Sequence, residues 1–515
     1  MPLGCLGIGL DIGTFRSSRC VEAPSRLARV LRLPSTATVF GAGLAGIMVV
    51  VVLAKGLTDP DFFTHLRTGQ LIVETGQVPT TDPFSFTWAG QPWTLHEWLS
   101  EVFMYLLIST IGVLPSLIVF GLIPGALLAI LLYALVRRDV PLRPAALACV
   151  LAAWIFVPYV TIRPQAISWL LMAVLVTFLW SLDAARPRRA LWLIPLFVVW
   201  ANLHGLWVVG LGVVALYVLF TVAGRTPMAG PAWRWVAVGF IGCLFGVMLT
   251  PAGPEGVLYP LRYIDAGDWG LANIQEWQSP DFHEPAHWGL LALILTLAAV
   301  GLRGGTPGWM GALTVLGVAM SLVSLRNAPL LAMWSLPVVA MSLAARWPVR
   351  LTPRPVPPSQ VRARRVMEAA TAVAIVVIGA VLVLPQTPAA HLEESIASEF
   401  PEAAMGIVLR ANPDARILAE YGWGGYVIYR GYDHGARVFV DGRNDMYDQS
   451  ILEDYSAIRA ADPGWEDLLA SYQVDAMIWP PTVVLTRGLL DGMGWCEAHR
   501  DAVQVLYLPE CPDAL

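Results

Sequence analysis

Residues 37–56, ATVFGAGLAGIMVVVVLAKG, run directly into residues 57–70, LTDPDFFTHLRTGQ. The first stretch carries its only charge at Lys55, one residue before its end. A membrane-spanning helix needs about 20 predominantly apolar residues, and this run supplies them. The second stretch crowds Asp59, Asp61, His65 and Arg67 together where that helix leaves the membrane. A polar cluster at that boundary sets the question for the rest of the chain.

The composition supports a polytopic membrane protein. Of 515 residues 56% are hydrophobic and only 14% charged, whereas soluble domains carry roughly 25% charged residues. Eleven candidate spans follow from the apolar runs: 37–56, 115–136, 144–160, 166–183, 190–203, 206–223, 235–250, 286–302, 308–324, 328–345 and 366–385. Residues 99–112 read as an interfacial helix. The 21 Trp and the many Pro and Gly suit membrane interfaces and broken helices. The net charge of −5 is mild. Outside the membrane flanks no basic tract with interleaved aromatics appears, so nucleic-acid binding is set aside.

Arginine placement gives the orientation, because cytoplasmic loops are enriched in Lys and Arg. The tail 1–36 holds Arg16, Arg19, Arg26, Arg29 and Arg32, without the apolar core and cleavage site of a signal peptide. Arg137 and Arg138, then Arg186 to Arg189, then Arg225 and Arg234, then Arg303, then Arg346 to Arg365 mark every second connection. The expected topology has the N-terminus in the cytoplasm and the C-terminus outside. Loops 57–98, 161–165 and 251–285 then share the outer face.

Residues 351–365 read as a linker, and residues 386–515 change character. Strand-like runs ARILAE, GYVIY, ARVFVD, VDAMIWP and AVQVLYL alternate with helix-like runs at 449–460 and 464–472. That alternation predicts a small α/β domain outside the membrane. Domain organisation is therefore a tail (1–36), a membrane domain (37–385) and an extracytoplasmic domain (386–515). The six Cys show no metal-ligand spacing; Cys149 and Cys243 sit in apolar runs as small core residues, and Cys496 and Cys511 have the option of a disulfide in an extracytoplasmic domain.

Loop 57–98 is long, and connections of that length usually carry function. Asp59 and Asp61, spaced i and i+2, offer two carboxylates to one divalent cation in an irregular loop, and a carboxylate also serves as a base. His65 and Arg67 suit a phosphate, arginine by its bidentate fork. His96 and Glu97 stand at the re-entry to the membrane. Further polar groups recur on the same expected face: Arg163 in TIRPQ, Asn202 and His204 in WANLHG, Glu276 and Asp281 in EWQSPDF, and Arg326 and Asn327 in SLRNAP. Charged groups beside hydrophobic segments are costly and usually face a cavity or a partner. Taken singly, each fits a structural role; their shared sidedness points to one outward cavity for an anionic, lipid-borne substrate.

With these residues the sequence resembles the GT-C superfamily of membrane glycosyltransferases, which use polyprenyl-phosphate-linked sugars and keep a catalytic aspartate in the first extracytoplasmic loop. The local likeness is to catalytic subunits of oligosaccharyltransferases, whose loop reads approximately D-P-W-Y-H-x-R. Here DFFTHLR places Asp61 on the catalytic, metal-binding aspartate and Arg67 on the basic residue. The proline follows Asp59 instead of Asp61, so either carboxylate can be the primary one. Residues 417–429, ILAEYGWGGYVIY, are similar in placement and texture to the W-W-D-Y-G motif of that family, but W-W-D is absent and peptide recognition does not carry over. Tyr421 and Trp423 remain as aromatics able to stack on a sugar. The resemblance implies sugar transfer from a polyprenyl-phosphate carrier to an extracytoplasmic acceptor, with Mg or Mn as the expected cation and the cytoplasmic membrane as the expected location. Inversion is the simplest geometry, because one carboxylate and a lipid-phosphate leaving group suffice. A transporter or flippase for a lipid-linked saccharide, or a non-catalytic scaffold, would use the same cavity. A transporter should place charges within its spans, and these spans are nearly free of charge.

Overall fold

A computed structural model describes residues 36–346 and 391–509, apart from 266, 302–304, 487 and 489–492, with scattered positions between 363 and 385. The membrane half opens with α1 (Thr36–Lys55), α2 (Phe62–Thr75), α3 (Trp98–Ile111) and α4 (Val113–Val136). It continues with α5 (Leu142–Phe156), α6 (Pro164–Trp180), α7 (Leu193–Leu203), α8 (Trp207–Val222) and α9 (Trp233–Gly246). Two short helices, α10 (Gly253–Asp265) and α11 (Gly267–Asn273), precede α12 (Trp288–Val300), α13 (Gly308–Val323) and α14 (Ala328–Arg346).

Small residues let α1 and α4 touch. A Cβ built on Gly121 or Gly125 would lie 2.6 Å from the Val49 Cα or 2.5 Å from the Ala45 Cα. Close backbone approach of this kind gives apolar helices their packing contacts where lipid offers no hydrophobic driving force. Leu219, Phe245 and Val323 stay about two-thirds exposed on the outside of the bundle, which suits contact with acyl chains.

Among the described residues three helices are long and apolar enough to cross a membrane: Thr36–Lys55, Val113–Val136 and Leu325–Arg346. The other expected spans within the described region form shorter helices, so the count of eleven is not established by length and composition. The expected helix at 99–112 is α3. The span expected at 366–385 lies largely outside the described residues, as do the tail, the linker 351–365 and Cys511.

The C-terminal part comprises α15 (Leu392–Glu399), α16 (Glu402–Ala411), β1 (Arg416–Ala419), α17 (Gly424–Gly431), β2 (Arg437–Val438), α18 (Gln449–Ala460), α19 (Trp465–Tyr472), β3 (Ala476–Trp479), β4 (Cys496–Arg500) and β5 (Val505–Leu508). The sheet order is β2-β1-β3-β5-β4. The β2–β1–β3 pairs are parallel, and β5 is antiparallel to both β3 and β4. Four of the five expected strands are present. The fifth, GYVIY, is helical instead. Tyr426 and Tyr429 both reach Phe63, with centroids 5.0 and 5.2 Å away. Residues three apart share a helical face but alternate across a strand, so packing on α2 overrides the β propensity of Val and Ile.

Loop 57–98 also differs from its expected irregularity, since it contains α2. Its later part joins the C-terminal sheet at the β2 edge. Ser85 bridges Val438, the Phe86 amide donates to the Val438 carbonyl at 3.0 Å, and the Val438 amide donates to the Phe84 carbonyl at 3.2 Å. The loop is thereby clamped between the helical bundle and the C-terminal sheet.

Candidate active site

The clamp encloses a cavity of about 850 Å³ at the ends of α1, α6, α7 and α14, roofed by the C-terminal part. Its size is within the usual range for small-molecule sites.

Its first wall follows from the local chemistry of Asp59-Pro60-Asp61. The Asp61 amide donates to Asp59 Oδ1 at 3.0 Å, a side-chain turn typical of aspartate. Asp61 then caps α2, and its carbonyl accepts the His65 amide at 3.0 Å. Asp59 is buried behind this turn, where Thr161 Oγ1 donates to Asp59 Oδ2 at 2.7 Å. Arg163, just before the first turn of α6, ties the wall together. Its guanidinium pairs with Asp59, with Asp61 at 3.0 Å and with Glu276 at 3.6 Å. Glu276 in turn meets Arg326 at 3.4 Å, and Arg326 lies 5.5 Å from the Trp277 ring. Burial raises the Asp61 pKa, against the opposing pull of Arg163.

A second wall is a His/Glu cluster. His65 Nδ1 is 3.0 Å from Glu101 Oε1 and 3.6 Å from Glu97 Oε2. Burial disfavours an imidazolium there, but the hydrogen bond to Glu101 and the two carboxylates outweigh it and push His65 up to about 9. Glu97 also receives His96 at 3.4 Å and His204 at 3.2 Å. Burial would raise Glu97, yet these imidazoles hold it well below the usual carboxylate range. The Leu206 amide donates to His204 Nδ1 at 3.0 Å. That nitrogen therefore has no proton, and a neutral His204 offers its Nε2 proton to Glu97. Burial pushes its pKa down to about 3 accordingly.

Ten of the residues singled out in the sequence line this one cavity: Asp61, His65, His96, Glu97, Arg163, His204, Glu276, Arg326, Asn327 and Tyr421. Five do not. Asn202 accepts from Trp98 Nε1 at 2.9 Å, and Asp281 accepts the His283 amide at 2.9 Å. Asp59 stands behind Arg163. Trp423 donates from Nε1 to the Glu399 carbonyl at 2.9 Å inside the C-terminal core. Arg67 is only 2% exposed, pairs with Asp433 and lies 4.9 Å from the Tyr432 ring. Two residues along a helix turn the side chain by about 200°. His65 and Arg67 therefore face opposite ways, and Arg67 fastens α2 to the C-terminal part.

The residues missed are Glu101, Tyr259, Asn444 and Asp445, all in the cavity wall. Glu101 is hidden in an apolar helix and Tyr259 has no motif around it. The DGRNDMY stretch, however, is visible in the sequence as a polar island between buried runs.

The expected cation site at Asp59 and Asp61 does not fit the geometry, because one guanidinium already bridges the two carboxylates. His65, Glu97 and Glu101 fit better. Their ligand atoms lie within 4.8 Å of one another, and the buried Glu101 Oε2 has no hydrogen-bond partner. An orphaned buried carboxylate oxygen is costly, and a cation would satisfy it. One imidazole and two carboxylates suit a borderline metal such as zinc as well as manganese.

No family model matches the chain, and no curated protein matches it. Its fold is similar to that of ArnT from Cupriavidus metallidurans, solved bound to undecaprenyl phosphate, with a TM-score of 0.50 at 14% identity. The match covers 92% of this chain and 98% of that one. The likeness is one of overall fold, and it extends over the helical bundle and the C-terminal part alike.

Proposed function

We propose that this chain is an integral membrane glycosyltransferase that moves a sugar from a polyprenyl-phosphate carrier to an acceptor outside the cytoplasmic membrane. The observation that carries the reading is convergence. Carboxylates and guanidiniums from four separate connections, at Asp61, Arg163, Glu276 and Arg326, meet in one cavity at the helix ends. The undecaprenyl phosphate bound by the structural neighbour supports a lipid carrier as donor.

Arg326 is the best-placed group for the carrier phosphate. It has one carboxylate partner, and its side chain is 35% exposed. Arg163 sits deeper, shared among three carboxylates, and holds Asp61 in place. Positive charge beside the leaving phosphate stabilises the charge that develops there. Asp61 orients the acceptor hydroxyl for in-line attack on the anomeric carbon, with inversion. Tyr421 offers a ring on the acceptor side. Carboxylates in the wall outnumber guanidiniums, so an arriving phosphate gains from an added cation. A divalent ion held by His65, Glu97 and Glu101 would supply that charge. Arg67 is assigned a structural role.

A transporter reading is weaker because the polarity collects at the helix ends and the described spans are almost uncharged. Purified protein with radiolabelled undecaprenyl-phosphate sugars separates the classes by turnover, binding alone, or neither. Asp61→Asn should abolish transfer in a protein that still folds and inserts. Full activity in that variant would remove Asp61 from the reaction.

A further inference from the structure

We propose that Asp445, delivered from the C-terminal part, is the general base that takes the acceptor's proton; this rests on the transferase reading above. The DGRNDMY stretch divides into two functions. Asp441 and Arg443 form its anchor. Arg443 donates Nε and Nη2 to Asp441 at 2.7 and 2.6 Å and Nη1 to Asp82 at 2.7 Å, while Tyr447 donates to Asp441 at 2.6 Å. Asn444 and Asp445, next along the chain, line the cavity.

The anchored loop stands against the opposite wall. A Cβ on Gly442 would fall 2.0 Å from Asp61 Oδ1, so the C-terminal loop and the Asp61 carboxylate are in direct apposition. Asp445 thus shares the reaction space with Asp61 but not its electrostatics. Asp61 is ion-paired to Arg163, and protonating it would forfeit that pair. Asp445 accepts a hydrogen bond from the neutral Tyr259 hydroxyl. Among the described residues no lysine or arginine pairs with it. Among the described residues, the titratable groups that act on it most are His96, Glu97 and Asp61. Burial raises its pKa to about 6; His96 opposes the shift, and Glu97 and Asp61 add to it. A carboxylate poised near neutrality is ionised at pH 7 and still basic enough to accept a proton in the transition state.

The step balances as follows. The acceptor oxygen bonds to the anomeric carbon while its proton passes to Asp445. The bond from that carbon to the phosphate oxygen breaks, and its electron pair leaves with the polyprenyl phosphate. Asp445 then returns the proton to water.

The test uses the full chain in detergent, radiolabelled undecaprenyl-phosphate pentose and hexose as donors, and cell-envelope membranes as acceptor. Asp445→Asn should lower kcat by about 100-fold or more, with the donor KM within about threefold, and Asp445→Glu should recover part of the rate. The wild-type rate should fall on the acid side with a midpoint near pH 6. Tyr259→Phe removes a donor to the ionised carboxylate and should move that midpoint upward. An Asp445→Asn kcat within about threefold of wild type, or an acid limb indifferent to Tyr259→Phe, would overturn the assignment alone. If Asp445→Asn does not fold, the Tyr259→Phe profile decides. A wild type that turns over neither donor sinks the transferase reading, and the base with it.

Discussion

Two guanidiniums in this molecule each sit between two aspartates, and they have opposite characters. Arg443 lies between Asp441 and Asp82, and Arg163 between Asp59 and Asp61. Around Arg443 the polar groups are satisfied. Its fork meets Asp441, its third nitrogen meets Asp82, and its plane is 4.5 Å from Trp93 and 5.1 Å from Phe84. Asp82 accepts the Phe84 and Ser85 amides, each at 3.0 Å. Around Arg163 the shell is incomplete. Asp61 keeps a side-chain exposure of 32% and Glu276 of 29%, and both open on the cavity. Identical charge chemistry therefore gives a rivet in one place and a poised site in the other. The difference is whether each lone pair and N–H already has a fixed partner.

The largest expected effect follows from that contrast. Arg443→Met should destabilise the protein by about 3–5 kcal/mol, because it leaves two buried carboxylates unpaired. Arg163→Met should cost less, since it leaves only one buried carboxylate, Asp59, unpaired, and water in the cavity can solvate Asp61 and Glu276. Thermal unfolding of both variants in one detergent measures the pair. Equal losses would break the comparison.

A smaller effect separates the two clusters by pH. Arg443 holds Asp441 down despite its burial, so Asp441 does not titrate near neutrality. The cavity does. His65 has a folded pKa of about 9 against an ordinary 6.5. Its stabilisation is complete below about pH 6.5 and is lost as pH rises through 9. One proton gives a slope of at most about 1.4 kcal/mol per pH unit. In chelator-treated, metal-free protein, wild-type thermal stability should decline across this window, and His65→Gln should flatten the decline. An unchanged slope in the variant would place the titrating group elsewhere.

How much of this was legible depends on what a one-dimensional pattern can express. Charges are rare in this chain, so Asp61, Arg163, Glu276 and Arg326 stood out, and the spacing of arginines between spans gave them a common face. Helix phase was not legible. Arg67 was read with His65 because both lie in one short polar run, and only the conformation of α2 sends them apart. The GYVIY run misled for a related reason: its β-branched and aromatic residues pack on Phe63 at helical spacing, which needs the partner to be seen. Tyr259 and Asp445 are brought together across 186 positions by tertiary structure alone. Glu101 stayed hidden because an apolar helix gives no hint that its single carboxylate turns toward a histidine.

The smallest structural change tests where the two aspartate pairs come nearest. Gly442 lies between the rivet and the poised site, one residue from each of Asp441 and Arg443. Its added methyl would sit 2.0 Å from Asp61 Oδ1. No backbone atom is involved, and a carboxylate facing a cavity can swing aside. Gly442→Ala should therefore cost only about 1 kcal/mol, the low end for overpacking. The rivet should survive intact, because Arg443 keeps all its acceptors. Sugar transfer should nevertheless fall at least about tenfold, since a displacement of about 1 Å at a reacting group can lose far more than that. Measuring melting temperature and turnover on the same preparation gives both numbers. Unimpaired transfer would mean that Asp61 has no required position, and the contrast between the two clusters would then be one of burial alone.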